Sequence, residues 1–150
     1  MKKIILFPYF FITMQSSFAQ KQPVDILLSK LAVERNDNKR IDLINDFLAN
    51  TAEVDPVLDL DNSQKLLLYA QKNNDKISEA VALANIGYDY RALGNTAKSF
   101  EYDLKAVEVA TETSNEKLLG NAQLNLGHNY KDEANYTKAL DLYGSVAEIA

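Results

Sequence analysis

The sequence contains no cysteine and no tryptophan, and only one histidine, three prolines and five glycines in 150 residues. Without cysteine, the protein has no disulfides, thiolate nucleophiles or cysteine-ligated zinc sites. The scarcity of proline and glycine argues against a turn-rich all-β fold and favours long, uninterrupted elements. Basic residues are also few: 16 against 21 acidic residues give a net charge of −5. Since nucleic-acid binding needs a basic surface, we expect no nucleic-acid partner.

The segment 1–19 has the pattern of a secretory signal peptide. Lysines at positions 2 and 3 precede a mostly apolar run over 4–14, and Ser17-Phe18-Ala19 places small residues at −3 and −1 of a signal-peptidase site. The run is shorter than the roughly 20 residues that a membrane-spanning helix needs. A buried N-terminal helix is the alternative. We expect the segment 20–150 to be exported, into the periplasm or the medium, with no membrane span.

The rest of the chain repeats itself, and the two copies are offset by 40 in residue number. When 80–110 is aligned on 120–150, eight of 31 positions are identical, against about two expected from average composition. Asn95 and Asn135 fall at the same place in each unit, where an asparagine can cap a following helix. Apolar residues keep helical spacing on both sides of Asn95. Before it, Leu83, Ile86 and Tyr90 share one helix face, and after it, Phe100, Leu104 and Val107 share a face of the next helix. Each unit, 76–115 and 116–150, is therefore predicted to be two antiparallel helices joined by a short turn.

The two units resemble the tetratricopeptide repeat family, whose hallmark is a large residue followed by Leu-Gly and then Tyr. Leu83-x-x-Ile86-Gly87-x-x-Tyr90 carries this pattern, and Leu126-Gly127-x-x-Tyr130 repeats it. Asp103 stands where an aromatic residue is usual, and Ala134 where a turn glycine is usual. The period exceeds the usual value of about 34, which resembles the long-repeat, exported bacterial variety. The resemblance implies an all-α fold: antiparallel helix pairs stacked as a right-handed α-solenoid of about seven helices.

The resemblance also implies which residues pack the repeats together. We expect Gly87 and Gly127 to let the partner helix approach closely, opposite the small residues Ser99 and Ala139. The tyrosines of the motif would fill the space beside the glycines. The predicted packing residues are Leu83, Ile86, Gly87, Tyr90, Leu126, Gly127, Tyr130 and Ala139.

The segment 20–75 is predicted to hold N-terminal helices that include a degenerate repeat, as is common where a terminal repeat caps a stack. One short helix is expected near 24–34, a second near 39–52 and a third at roughly 56–73. Asp55-Pro56 supplies a cap and a first helical residue for the third helix. Asp61-Asn62-Ser63 is a competing start for the same helix.

No catalytic or metal-binding constellation emerges from the sequence. His128 has neither a cysteine nor a second histidine to join it as a ligand or base. The segment 94–99 lacks the second glycine and the preceding strand of a phosphate-binding loop. Asp55, Asp59 and Asp61 do not have calcium-loop spacing, and a solvated face is the expected explanation for them. We therefore expect that the protein is not an enzyme and that it holds no cofactor and no metal.

What the resemblance does imply is a binding groove lined by the first helices of successive repeats. An asparagine amide there pairs with both the N–H and the C=O of a bound peptide backbone. The alternative is that such asparagines hold neighbouring repeats together. Tyr88 offers an apolar surface with a polar tip. The predicted partner-binding residues are Asn85, Tyr88, Arg91, Asn125, His128 and Lys131, and the same register places Val81, Ala84, Asn121 and Leu124 beside them.

The leading functional interpretation is an exported scaffold that binds a protein or peptide. The alternative is the N-terminal sensor portion of a longer signal-transduction receptor, of the histidine-kinase or transcription-regulator type. A hydrolase is disfavoured, because no nucleophile–base pair is present.

The last helix, about 136–150, puts Leu142, Val146 and Ile149 on one stripe beside Tyr143. Such a stripe is normally covered by the next repeat or by a capping helix. We therefore expect either a chain that continues past residue 150 or self-association through this helix.

Overall fold

The computed structural model describes residues 23–52 and 55–149, so the predicted signal peptide lies outside the described residues. The described part consists of seven α-helices and no strand, which confirms the predicted all-α fold. None of these helices is long and apolar enough to cross a membrane. The helices are α1 (Pro23–Leu31), α2 (Asp37–Ala52), α3 (Pro56–Asn73), α4 (Lys76–Ala92), α5 (Thr96–Glu112), α6 (Glu116–Asp132) and α7 (Tyr136–Ile149).

Each helix packs on its neighbour in the chain, and α4 also packs on α2 and α6, the helices two places before and after it. Contacts of this kind are those of stacked helix pairs, an α-solenoid. Helix α4 is covered by α2, α3, α5 and α6, and ten of its seventeen residues are buried. The first helices of successive pairs, α2, α4 and α6, therefore lie side by side.

Asparagine and aspartate side chains begin the helices as expected. Asn95 and Asn135 accept hydrogen bonds from the backbone N–H groups three positions later, at 3.2 and 3.4 Å. Asp55 accepts from the backbone N–H of Val57 at 2.8 Å, and Pro56 is the first residue of α3. The start at Pro56 is confirmed, and the competing start at 61–63 is wrong because those positions lie inside the helix.

The glycines of the repeat motif face residues other than those predicted. A Cβ atom added at Gly87 would overlap the carboxyl group of Asp103, and one added at Gly127 would lie 2.5 Å from the ring of Tyr143. The sequence prediction placed the small residues Ser99 and Ala139 opposite these glycines. The prediction is wrong by one helical turn, because Asp103 and Tyr143 each follow the predicted residue by four positions.

The core-facing side of α5 also differs from the predicted apolar face. Leu104 is 45% exposed, while Phe100 and Val107 are only half-buried. The side of α5 that is buried instead carries small and polar residues, because α4 approaches it closely: Ser99, Asp103, Ala106, Val109 and Ala110.

The remaining motif residues lie in or beside the core. Leu83, Ile86, Leu126 and Ala139 are buried. The two motif tyrosines are half-buried and pack on aromatic rings of α5. The ring of Tyr90 stacks on Tyr102 with centroids 5.5 Å apart, and that of Tyr130 meets Phe100 edge-on at 5.0 Å.

Arg40 ties the short first helix to the rest of the stack, a role that the sequence analysis did not identify. Its guanidinium donates to the backbone carbonyls of Leu31 and Glu34, both at 2.7 Å, and forms an ion pair with Asp75. Asp75 in turn caps α4 by accepting from the backbone N–H of Ser78. Since Arg40 is only 8% exposed, it provides buried donors for the end of α1, which would otherwise leave carbonyls unpaired.

Candidate partner-binding groove

A groove of about 550 Å³ runs along the first helices of the pairs. It has an apolar floor and a polar rim, the composition typical of a ligand-binding site. Three helices supply almost all of it: Ile41, Asn45, Leu48, Ala49 and Ala52 from α2, Val81, Ala84, Asn85 and Tyr88 from α4, and Leu118, Asn121, Leu124, Asn125 and His128 from α6, with Asp59 from α3.

Four of the six predicted partner-binding residues line this groove: Asn85, Tyr88, Asn125 and His128. The other two, Arg91 and Lys131, lie in the last turns of α4 and α6 and are not part of the lining. The guanidinium of Arg91 is 5.5 Å from the centroid of the Tyr88 ring, so it contacts the groove through that tyrosine. Lys131 is exposed.

The asparagines of the groove differ in how far the chain already uses their amides. Asn85 donates to the carbonyl of Val81 in its own helix at 2.9 Å. Asn125 donates to the carbonyl of Ala84 at 3.2 Å and so joins α6 to α4, which is the inter-repeat contact considered as an alternative. Asn45 and Asn121 are exposed, and neither side chain has a hydrogen bond to another described residue.

Asn45 was missed by the sequence analysis, although the repeat period contains the signal. Asn45, Asn85 and Asn125 follow one another at this period, and all three line the groove. The triplets 41/81/121 and 48/88/128 follow the same rule. The register of the two recognisable repeats therefore continues into α2, where few residue identities are left to reveal it.

The lining carries almost no charge. Among the residues that the structure describes, it includes no lysine or arginine and one carboxyl group, that of Asp59. Burial, followed by the nearby cations Arg91 and Lys131, holds the pKa of His128 below its usual value, so its imidazole is neutral at pH 7. His128 Nδ1 lies 3.0 Å from the hydroxyl of Tyr143 on α7.

Asp59 does not lie on a solvated face, contrary to the sequence expectation; only Asp55 and Asp61 do. Asp59 is 1% exposed, its carboxyl accepts a hydrogen bond from the Thr51 hydroxyl, and the carboxyl of Asp89 on α4 lies against it. Burial raises the pKa of Asp59. The expectation fails because position 59 faces α4, whereas positions 55 and 61 face away.

A family model described as tetratricopeptide repeat matches residues 78–150. Residues 78–150 belong to the tetratricopeptide repeat family. The match begins in the first turn of α4 and runs to residue 150. It confirms the resemblance drawn from the Leu-Gly and Tyr spacing. No curated protein matches the chain.

Tetratricopeptide repeats are non-catalytic scaffolds that mediate protein–protein interaction. Within the described ranges 23–52 and 55–149, no three histidine or acidic side chains are grouped as they would be to hold a metal ion. The buried carboxyls of Asp59, Asp89 and Asp103 contact other helices of the repeat stack, and a structural role accounts for their placement.

Proposed function

We propose that this tetratricopeptide repeat chain is an exported scaffold whose groove binds an extended peptide segment of a protein partner. The observation that carries the proposal is the set of four asparagines that α2, α4 and α6 bring to one groove, above an apolar floor. Three of them recur at the repeat period.

The chemistry of the rim suits a peptide backbone. A carboxamide offers both donors and an acceptor, so it matches the alternating N–H and C=O groups of an extended chain. Asn45 and Asn121 are available for this, because the described chain leaves their amides without partners. Tyr88, 47% exposed, adds an aromatic surface for an apolar side chain.

The low charge of the lining favours an uncharged peptide segment. A partner that presented carboxylates or phosphates would lose their hydration in the groove and meet no lysine or arginine among its described lining residues. We therefore propose an occupant with apolar side chains and an exposed backbone, rather than a charged chain terminus.

The test begins with linear peptides selected by phage display on the purified protein. Affinities of the selected peptides are then measured for the wild type, Asn45→Ala, Asn121→Ala and Asn50→Ala. Asn50 is the matched control, because it is an exposed asparagine of the same helix as Asn45 but lies outside the groove. Loss of a peptide hydrogen bond should weaken binding about tenfold in each groove variant, with no change in Asn50→Ala.

Recognition of the peptide backbone by the groove is tested in a separate measurement. The selected peptides, resynthesised with N-methyl groups on successive backbone nitrogens, should lose affinity at the positions that contact the asparagines. Peptides that bind Asn45→Ala and Asn121→Ala as tightly as the wild type would contradict the proposal, as would an equal loss in Asn50→Ala.

Export is supported by the segment 1–19, whose lysines, apolar run and Ser17-Phe18-Ala19 have the features of a cleaved signal peptide. We propose that the mature scaffold starts at Gln20 and acts in the periplasm or outside the cell.

A further inference from the structure

Buried polar side chains join α5 to α6, at the junction of two successive repeats. Asn129 on α6 accepts a hydrogen bond from the hydroxyl of Ser99 at 2.9 Å and donates one to Asp103 Oδ2 at 2.6 Å. Ser99 and Asp103 both belong to α5, and all three side chains are buried. We call this group the second clasp. The amide is well suited to it, because it accepts from one neighbour and donates to the other.

The preceding junction has an equivalent group, which we call the first clasp. The equivalent positions one repeat period earlier are Asp59 and Ser63 on α3 and Asp89 on α4, and all three side chains are buried. The first clasp therefore carries a carboxyl group, that of Asp89, where the second clasp has the amide of Asn129. It also pairs that carboxyl with a second one, that of Asp59, instead of a serine.

With both of its carboxyl groups ionised, the first clasp lacks the hydrogen-bond donor that the Asn129 amide supplies in the second clasp. Two ionised carboxylates offer acceptors only, and two like charges in buried contact repel each other strongly. Thr51 on α2 donates to Asp59, and the Ser63 hydroxyl lies near enough to Asp89 to lower its pKa, but Asp89 Oδ2 is buried without a hydrogen-bond partner.

Within the part of the chain that the structure describes, no cation neutralises the first clasp. Among the described residues of α2, α3, α4 and α5, the groups that influence the pKa of Asp59 and Asp89 are Thr51, Ser63 and the two carboxyls themselves. The nearby guanidinium of Arg91 acts instead on Asp103, in the second clasp.

We propose that Asp59 and Asp89 hold one shared proton in the folded protein, and that this proton closes the first clasp as the Asn129 amide hydrogen closes the second. The pair then consists of one carboxylic acid that donates and one carboxylate that accepts. Because Asp59 also lines the groove, release of the proton loosens the α3–α4 junction beside the proposed peptide site.

The shifts in pKa agree with this arrangement. Burial, followed by the charge of Asp59 and its hydrogen bond, raises the pKa of Asp89 to about 8, against a weaker opposing effect of Ser63. In an unfolded chain the pKa of an aspartate is about 3.9. Between these two values the folded protein keeps a proton that the unfolded chain has lost, so stability falls as pH rises. The folding equilibrium constant should drop about tenfold per pH unit for each retained proton, and level off near pH 8.

The equivalence of the two clasps supplies matched variants. Asp89→Asn installs in the first clasp the residue of the second, and Asn129→Asp does the reverse. The slope of the logarithm of the folding constant against pH gives the number of protons that the folded protein retains. We expect this number to be smaller by about one in Asp89→Asn between pH 5 and 7. Asn129→Asp should raise the slope by up to one proton, and the exposed-residue control Asp141→Asn should leave it unchanged. Denaturant unfolding followed by circular dichroism measures all four proteins.

Infrared spectroscopy adds a direct readout at pH 6, since a protonated carboxyl group has a C=O band that a carboxylate lacks. The wild type should show this band from the pair, and Asp89→Asn should lose that contribution. If Asn129→Asp fails to fold, the pH slope of the folding constant and the carboxyl C=O band of Asp89→Asn still test the proposal. An unchanged slope and band in Asp89→Asn would overturn the proposal. So would a wild type whose stability at pH 7 rises with added CaCl₂ while that of Asp89→Asn does not, because a cation would then occupy the place of the proton.

Discussion

At position 87, the absence of a methyl group decides how closely α4 and α5 pack. The carboxyl of Asp103 occupies the space that a Cβ atom of residue 87 would need. Asp103 has little freedom to move away, because it is buried and hydrogen-bonded to Asn129. Burial raises its pKa to about 7, with Arg91 and Asn129 opposing the shift. One glycine therefore positions a buried carboxyl that also joins two repeats.

We predict that Gly87→Ala destabilises the protein by about 1–3 kcal/mol through overpacking. Gly144→Ala is the control, because nothing lies within 4 Å of a Cβ added there. The control should be neutral or gain up to about 1 kcal/mol, since alanine favours a helix over glycine. Urea denaturation measures both free energies of unfolding. Similar values for the two variants would show that the close contact with Asp103 is unimportant.

The helices of the repeats end in a common way. Four consecutive turns contain a residue with left-handed backbone, at positions spaced by 20: Asn74, Gly94, Ser114 and Ala134, with φ of 53°, 77°, 55° and 58°. Left-handed residues of this kind commonly end helices by redirecting the chain. Each repeat period therefore consists of two helix-and-turn units of equal length. Ala134, which departs from the family pattern, adopts the glycine conformation without being a glycine.

Exchanging alanine and glycine at two of these turns should change the stability of the protein in opposite directions. Ala134→Gly should stabilise the protein by about 1 kcal/mol, because it relieves the steric cost of a left-handed alanine. Gly94→Ala should destabilise it by about the same amount; its added Cβ meets nothing within 4 Å, so the effect comes from the backbone alone. Thermal and urea unfolding measure both variants, and a loss of stability in Ala134→Gly would contradict this account.

As a whole, the molecule is a stack in which the central helix α4 is covered on several sides and the end helices are less so. On α7, Leu142, Tyr143 and Val146 are half-buried, while Leu140 is 67% exposed. Part of the predicted apolar stripe is therefore covered by α6. Self-association through α7 stays a prediction.

Export would change the charge of the whole molecule. Cleavage after Ala19 removes two of the 16 basic residues and no acidic one, so 14 − 21 gives a net charge of −7 for the segment 20–150. We predict that protein expressed with its leader and recovered from the exported fraction has the mass of a chain that starts at Gln20. The variant Ala19→Arg should remain an uncleaved precursor, because the −1 position of the site requires a small residue. Exported wild-type protein that retains the segment 1–19 would refute the prediction.

Much of the architecture was predictable because it is encoded locally. Helical spacing, the caps at Asp55, Asn95 and Asn135, and the repeat period all depend on residues close together in the chain or at a fixed offset. The start of α3 at Pro56 follows from such signals. The same offset predicts most of the groove, and Asn45 was missed because few other residue identities remain in α2 to reveal the repeat there.

The contacts between helices were decided by the tertiary structure. Asp59 and Asp89 lie far apart in the chain, and no local pattern indicates that their carboxyls meet or that Asp59 is buried. The partner of Gly87 was displaced by one helical turn for the same reason. How far one helix slides and rotates against the next depends on the packing of whole faces, to which small and polar residues such as Ser99 and Asp103 contribute as much as apolar ones. The sequence thus determined the helices and their order, and side-chain packing between them determined which polar groups are buried together.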